Sequence, residues 1–149
     1  MSADCRLSVT VRPARDAAEV EAAMDLRVLV FCGEQGVDPE EEMDDLDDES
    51  IQIVGLDDGG VIATCRLRDL GNGEWKLERM AVERRLRGLG VGGKLLGGAE
   101  REAGERGAAE MVLNSQSQAE PFYAAHGYVA EGDTFLEAGI EHVRMRKAL

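Results

Sequence analysis

The chain has 149 residues, 44 % of them hydrophobic, and a formal charge of −13 from 30 carboxylates against 17 lysines and arginines. That length and apolar content suit one packed core, read as a single domain over 1–149. The acidic balance argues against a nucleic-acid partner, which draws on a surplus of Lys and Arg. It suits a cationic partner or adaptation to a salty cytoplasm instead. No apolar run approaches the roughly 18 residues that cross a bilayer, and Asp4, Arg6 and Arg12 interrupt any signal region, so no membrane association and a cytoplasmic location are expected. Cys5, Cys32 and Cys65 are odd in number and lack zinc or Cys-x-x-Cys spacing, so neither a metal site nor a disulfide framework is expected. Cys32 and Cys65 sit in apolar stretches and read as small buried thiols.

Leu7, Val9 and Val11 alternate with polar neighbours up to Pro13, the pattern of a first strand. Asp16 is a candidate N-cap for a helix whose apolar face carries Val20, Met24, Val28 and Phe31. From Gly33 to Ser50 that period is lost. Glu40, Glu41, Glu42, Asp44, Asp45, Asp47, Asp48 and Glu49 then crowd a segment that repulsion and hydration should keep exposed, as a loop or a short ragged helix. Ile51, Ile53 and Val54 restart a strand, the turn Asp57-Asp58-Gly59-Gly60 follows, and Val61 to Leu67 returns. Gly71-Asn72-Gly73 leads into a strand from about Trp75 to Val82.

Beyond the loop Glu83 to Gly88, Val91, Leu95, Leu96, Ala99 and Ala103 follow a helical period up to Gly107. Five glycines between Gly92 and Gly104 each weaken a helix by roughly 1 kcal/mol relative to Ala, so tertiary packing must hold it. Met111 to Leu113 reads as a strand, Pro121 opens a short helix to His126, and Gly127 stops it. His126 reads as a solvated residue at that stop, and Trp75 and Phe122 as core or wall aromatics. Strands near Tyr128 and from Ile140 to Met145 complete a mixed sheet with helices on its faces.

The stretch Arg87-Gly88-Leu89-Gly90-Val91-Gly92-Gly93-Lys94 places glycines before a helix, where backbone N–H groups can turn toward an anion. Gly88, Gly90 and Gly93 fit the dinucleotide pattern, and Gly88, Gly93 and Lys94 fit most of a P-loop. The P-loop reading fails at Leu95, where magnesium needs a hydroxyl. The dinucleotide reading wants the glycines in an opening βαβ unit, whereas at least four strands precede them here. Arg84, Arg85 and Arg87 supply local positive charge for a polyphosphate in an acidic chain. A tight turn with close helix packing is the purely structural alternative.

Arg87, Gly90 and Gly92 match the signature of the GCN5-related N-acetyltransferases (GNAT family): Arg or Gln, two residues, Gly, one residue, then Gly or Ala. Arg85, Gly88 and Gly90 fit it in a shifted register. The chain further resembles the ElaA-type branch at Val30-Phe31, Glu34-Gln35-Gly36-Val37, the acidic run to Leu46-Asp47, Arg79-Met80-Ala81-Val82, Leu113-Asn114-Ser115-Gln116, Phe122-Tyr123 and Gly139-Ile140-Glu141-His142. The resemblance implies an α/β (α+β) fold: a mixed, mostly antiparallel sheet of six or seven strands, splayed between strands 4 and 5, with about four helices. It implies acetyl-CoA as cosubstrate, with pantetheine in the gap against the backbone of Met80, Ala81 and Val82. The amides of Gly88, Leu89, Gly90, Val91, Gly92 and Gly93 would hold the pyrophosphate, and Asn114, Gln116 and Phe122 would line the wall. The family often has Asn where this chain has Gln116, which leaves Asn114 or Gln116 as the side-chain contact.

The implied reaction is acetyl transfer to the primary amine of a small-molecule or peptide acceptor, by direct attack in a ternary complex, in a monomer or homodimer. Such chemistry needs oxyanion donors, an acid for the thiolate and an acceptor for the amine proton. The Met80 N–H is the oxyanion candidate. Tyr123, in Phe122-Tyr123 before Gly127-Tyr128, is the acid. Glu78, expected on the same strand face as Met80, and His142 are candidate bases. The acidic stretch Glu40 to Glu49 would favour cationic acceptors such as polyamines or basic peptide termini. A noncatalytic CoA-binding or sensing module is the alternative.

Overall fold

The computed structural model describes residues 8–149. Leu7, at the start of the predicted first strand, and Cys5 lie outside the described residues. Seven strands form one sheet in the order β1-β2-β3-β4-β5-β7-β6, with β1 Thr10–Pro13, β2 Ile51–Asp57, β3 Gly60–Gly71, β4 Glu74–Val82, β5 Glu110–Gln116, β6 Val129–Glu137 and β7 Ile140–Ala148. Four helices accompany them: α1 Ala17–Arg27, α2 Pro39–Glu42, α3 Val91–Glu105 and α4 Glu120–Ala125. Neighbouring strands run antiparallel except β4 and β5, which are parallel and joined by the crossover helix α3. This is the mixed, mostly antiparallel α/β architecture expected from the sequence. The final hairpin is longer than expected, because β6 runs nine residues as an exposed edge strand.

Local chemistry fixes the expected ends. Asp16 caps α1 by accepting from the Glu19 N–H at 2.9 Å, and Glu19 in turn binds Arg12 at 2.7 Å. Pro13 closes β1, Asn72 and Gly73 turn β3 into β4 with positive φ, and Gly127 at φ 95° stops α4. The main core lies between the sheet and α3, where Leu95, Leu96, Ala99 and Ala103 meet Ile53, Leu67, Leu77 and Met111. Gly98 explains part of the glycine content of α3, since a Cβ there would lie 2.3 Å from Val11 Cγ1.

Three segments depart from expectation. The buried face of α1 is Ala23, Leu26 and Arg27 followed by Val30, whereas Val28 is exposed and Val20, Met24 and Phe31 are half-buried. The chain winds into a π-helix over Val28–Glu34, so a simple 3.6-residue extrapolation puts the wrong side chains inside. Cys65 is buried as expected, but Cys32, in that same π-helical turn, is only half-buried.

The acidic run is not a uniformly solvated face either. Glu42 is 2 % exposed and reaches Arg27 at 2.8 Å and Arg79 at 3.0 Å. Asp47 binds Arg27 at 2.7 Å, and Asp44 binds Arg66 at 2.8 Å. Arg27 and Arg66 are fully buried, so their charges require these carboxylates. The segment folds down onto the sheet as α2 and a 3₁₀ turn at Asp47–Glu49, leaving Glu40, Glu41, Asp45, Asp48 and Glu49 in solvent.

The third correction concerns β4. Arg66 pairs with Glu78 and Thr64 with Ala81, so Arg79 and Met80 together oppose Cys65. Arg79 has φ 56°, a left-handed conformation that costs a residue bearing a Cβ roughly 1–2 kcal/mol. This bulge breaks the alternation that would put Glu78 and Met80 on one face. Glu78 joins Arg66, whereas Met80 packs toward the main core.

Candidate active site

Sheet pairing between β4 and β5 runs from Glu74↔Glu110 to Leu77↔Leu113 and stops there, although β4 continues to Val82 and β5 to Gln116. The strands diverge from that point, as expected for a splay between the fourth and fifth strands. The resulting cleft, about 840 Å³, falls within the usual range for small-molecule sites. Met80, Ala81 and Val82 line one lip, and Asn114 and Gln116 the other.

The glycine loop lies at the wide end. Gly88 and Gly90 have φ of 81° and 85°, and Gly90 is the N-cap of α3 with no side chain to satisfy the first amides. A Cβ at Gly92 would lie 3.3 Å from Phe122, and one at Gly93 3.0 Å from His126, so both glycines keep the floor of the loop thin. Exposed turn amides at the start of a 15-residue helix fit a phosphate group. Of the loop residues singled out, Leu89 and Val91 do not line the cleft: Leu89 points to solvent and Val91 is buried in the core, so only their backbones are eligible. His126, expected in solvent, is half-buried against Phe122, with Nδ1 2.8 Å from its carbonyl.

Two bridges span the wide end. Glu34, at the end of the π-helical turn, binds Arg87 at 2.8 Å, and Gln35 accepts from Gln116 Nε2 at 2.7 Å. The charge of Arg87 is therefore shared with Glu34, whose carboxyl is held below the ordinary carboxylate range by that hydrogen bond.

Beside the β4 lip, Tyr123 donates to Met80 Sδ at 3.4 Å from a buried ring, and burial pushes its pKa up. Glu78 is bound by Arg66 at 2.9 Å, Arg68 at 2.6 Å and Lys76 at 3.2 Å. Burial alone would raise its pKa, but these cations bring it down to about 2. His142, also buried, lies on the far wall with Nδ1 2.7 Å from the Ile140 carbonyl. That contact requires a proton on Nδ1, so the tautomer that satisfies it has Nε2 as its acceptor. The cleft therefore brings together Tyr123, Glu78, His142, Asn114, Gln116 and Phe122.

Sequence reasoning missed Glu137, which lines the cleft beside His142. A glutamate in an exposed hairpin carries no sequence signal; only the pairing of β6 with β7 reveals its position. Among the described residues, no group of three or more His, Cys, Asp or Glu side chains could hold a metal, and no helix is long and apolar enough to cross a membrane.

Residues 22–149 match the family model of the acetyltransferase (GNAT) domain. The chain is 41 % identical over 135 residues to the uncharacterized N-acetyltransferase YjcF of Bacillus subtilis (strain 168), covering 90 % of this chain and 96 % of that one. The crystal structure of Escherichia coli ElaA superposes with a TM-score of 0.80 at 21 % identity, over 95 % of this chain and 99 % of ElaA. A GNAT acetyltransferase from Elizabethkingia anophelis, solved with acetyl-CoA bound, superposes with a TM-score of 0.74 at 18 % identity, over 95 % and 98 % of the two chains. The family model, the curated relative and the splayed sheet agree: the chain belongs to the GNAT family of acetyltransferases.

Proposed function

We propose that the protein transfers an acetyl group from acetyl-CoA to the primary amine of a small-molecule or peptide acceptor, by direct attack in a ternary complex. The observation that carries this reading is the opening of the sheet past Leu77↔Leu113, with a glycine-turned helix start at its wide end and a buried tyrosine hydroxyl against Met80 on its β4 lip. The acetyl-CoA bound to the Elizabethkingia anophelis structure of the same fold supports the choice of cosubstrate. In this reading the amides from Gly88 to Gly93 hold the pyrophosphate, and the backbone of Met80, Ala81 and Val82 pairs with pantetheine. Asn114, Gln116 and Phe122 complete the walls.

The amine nitrogen forms its bond to the thioester carbonyl carbon as the carbon–sulfur bond breaks. The Met80 N–H stabilises the oxyanion, and Tyr123, kept protonated by burial, gives its proton to the departing thiolate. His142 Nε2 takes the amine proton. Glu78 fits that role poorly, because a carboxylate shared by three cations has little affinity for a proton. Its part in the proposal is to fix the β4 lip. The half-buried thiol of Cys32 and the buried thiol of Cys65 suit a reducing compartment, in keeping with the cytoplasm.

A screen of amine classes for acetyl-CoA-dependent release of CoA tests the reading. Release with at least one class is expected. Tight acetyl-CoA binding with no release from any class would replace it with a noncatalytic CoA-binding module. Gly90→Arg, which sets a side chain on a left-handed residue in the loop, is expected to weaken acetyl-CoA binding more than tenfold by calorimetry in a folded protein. Unchanged affinity would remove the loop from the site.

A further inference from the structure

Five carboxylates line the cleft: Glu41, Glu42, Asp44, Glu78 and Glu137. Glu42, Asp44 and Glu78 are each held by arginine or lysine, and Glu41 stands in solvent on α2. Glu137 differs from all four. It ends β6 just before the turn Ala138-Gly139, whose φ values of 52° and 75° fold β7 back beneath it. Glu137 opposes Ile140, and Phe135 opposes His142, so these side chains share one face of the sheet with Gln116, the β5 partner of His142.

On that face, Asn114 Nδ2 donates to Glu137 Oε1 at 3.2 Å, and Glu137 Oε2 lies 3.8 Å from His142 Nε2. No arginine or lysine of the described residues lies within ion-pair reach of this carboxylate. Asn114 is the first β5 residue past the last β4–β5 pair, and His142 lies level with Gln116 two residues further on, which sets the group along the β5 wall of the cleft. The His142 ring is fixed by the Ile140 carbonyl and stacks on Phe135, so its Nε2 has a defined direction. With the ring proton on Nδ1, Nε2 and Oε2 are two acceptors 3.8 Å apart with no donor of their own to join them. An ammonium nitrogen at about 2.8 Å from each would bridge them with one N–H apiece.

We propose that Glu137, oriented by Asn114, binds the protonated amine of a cationic acceptor together with His142 Nε2, and so selects cationic over neutral amines. This rests on the amine-transfer reading above and names its acceptor class. The ammonium meets the carboxylate first. Its proton passes through His142 Nε2 to solvent, which frees the neutral nitrogen to attack and leaves the ring ready to take the second proton, shed as the amide forms.

The test is calorimetric titration of CoA-saturated parent, E137Q and E41Q with benzylamine, spermidine and 1,4-diaminobutane, and with aniline, a primary amine that is neutral at pH 7. The parent is expected to bind at least one of the three cations. E137Q should bind it at least tenfold more weakly, with unchanged affinity for CoA and aniline, and E41Q should match the parent. Equal cation affinity in parent and E137Q overturns the proposal, as does a parent that binds none of the three. An E41Q variant as weak as E137Q also overturns it, because diffuse negative charge would then account for the attraction. Failure of the transfer reading is separate: it is absence of CoA release in the amine screen, which leaves the titrations unaltered.

Discussion

The hydroxyl of Tyr123 lies against Met80 Sδ on a largely buried ring packed against Phe122 and Tyr128. A phenol in such surroundings keeps its proton at neutral pH, and it can share that proton with the sulfur as the carbon–sulfur bond breaks. Tyr123→Phe is expected to lower turnover about 100- to 10,000-fold while acetyl-CoA affinity stays at the parental level. Turnover above half the parental rate, with chemistry limiting, would pass the proton's origin to water. Glu78 behaves oppositely. Its folded pKa of about 2 lies below the ordinary 4.5, so its contribution to stability is full above about pH 4.5 and lost as pH falls through 2. The shift corresponds to a contribution on the order of 3 kcal/mol. Glu78→Gln, which leaves Arg66, Arg68 and Lys76 without their shared anion, should lower stability at pH 7 by roughly that amount and flatten the loss between pH 4.5 and 2. Urea unfolding at pH 7 and pH 3 checks it; parallel profiles for parent and variant would rule it out.

Between elements, burial is reached by two different means. The segment carrying α2 has little apolar surface of its own, and it is fastened by Arg27, Arg66 and Arg79 to Glu42, Asp44 and Asp47. Such pairs add little net stability compared with apolar packing, but breaking one strands a buried charge, so they fix where the segment sits. Helix α3 is held by shape instead. Gly98→Ala should force Cβ into Val11 and cost about 1–3 kcal/mol. Gly97→Ala, one residue away with nothing within 4 Å, should stabilise by roughly 0.5–1 kcal/mol. Thermal melting separates the two, with about 2–4 °C expected per kcal/mol in a chain of this size. Shifts of the same sign would mean that helix propensity, not contact with β1, governs both positions.

Across the whole molecule, the parts legible in the sequence were those with local causes. Alternation marked the strands, and Asp16, Pro13, Gly127 and the Asn72-Gly73 turn marked their limits or those of the helices. What escaped depends on distant partners. The acids of the 40s look solvated until Arg66 and Arg79, 22 and 35 residues from Asp44, are brought over them. The bulge at Arg79 has no glycine or asparagine to announce it, and Glu137 gains its surroundings only when β6 pairs with β7. The glycine turn before α3 was legible, with positive φ at Gly88 and Gly90, although Arg87, expected to face a polyphosphate, is engaged by Glu34 across 53 residues. The splay has a consequence for how the protein keeps company. Past Leu77 and Leu113, two strands within one sheet present raw edges to each other, the feature through which sheets recruit foreign chains. Alternate amides of residues 80–82 and 114–116 should therefore exchange hydrogen faster than those of 74–77, and slow when acetyl-CoA is added. The wedge closes to ordinary strand spacing at its apex, so a polypeptide with side chains on both faces is too broad to dock there. The acetyl-CoA reading puts a thin amide-bearing tether in the wedge instead, so that the angle between two strands would do the sorting that charged edge residues do elsewhere.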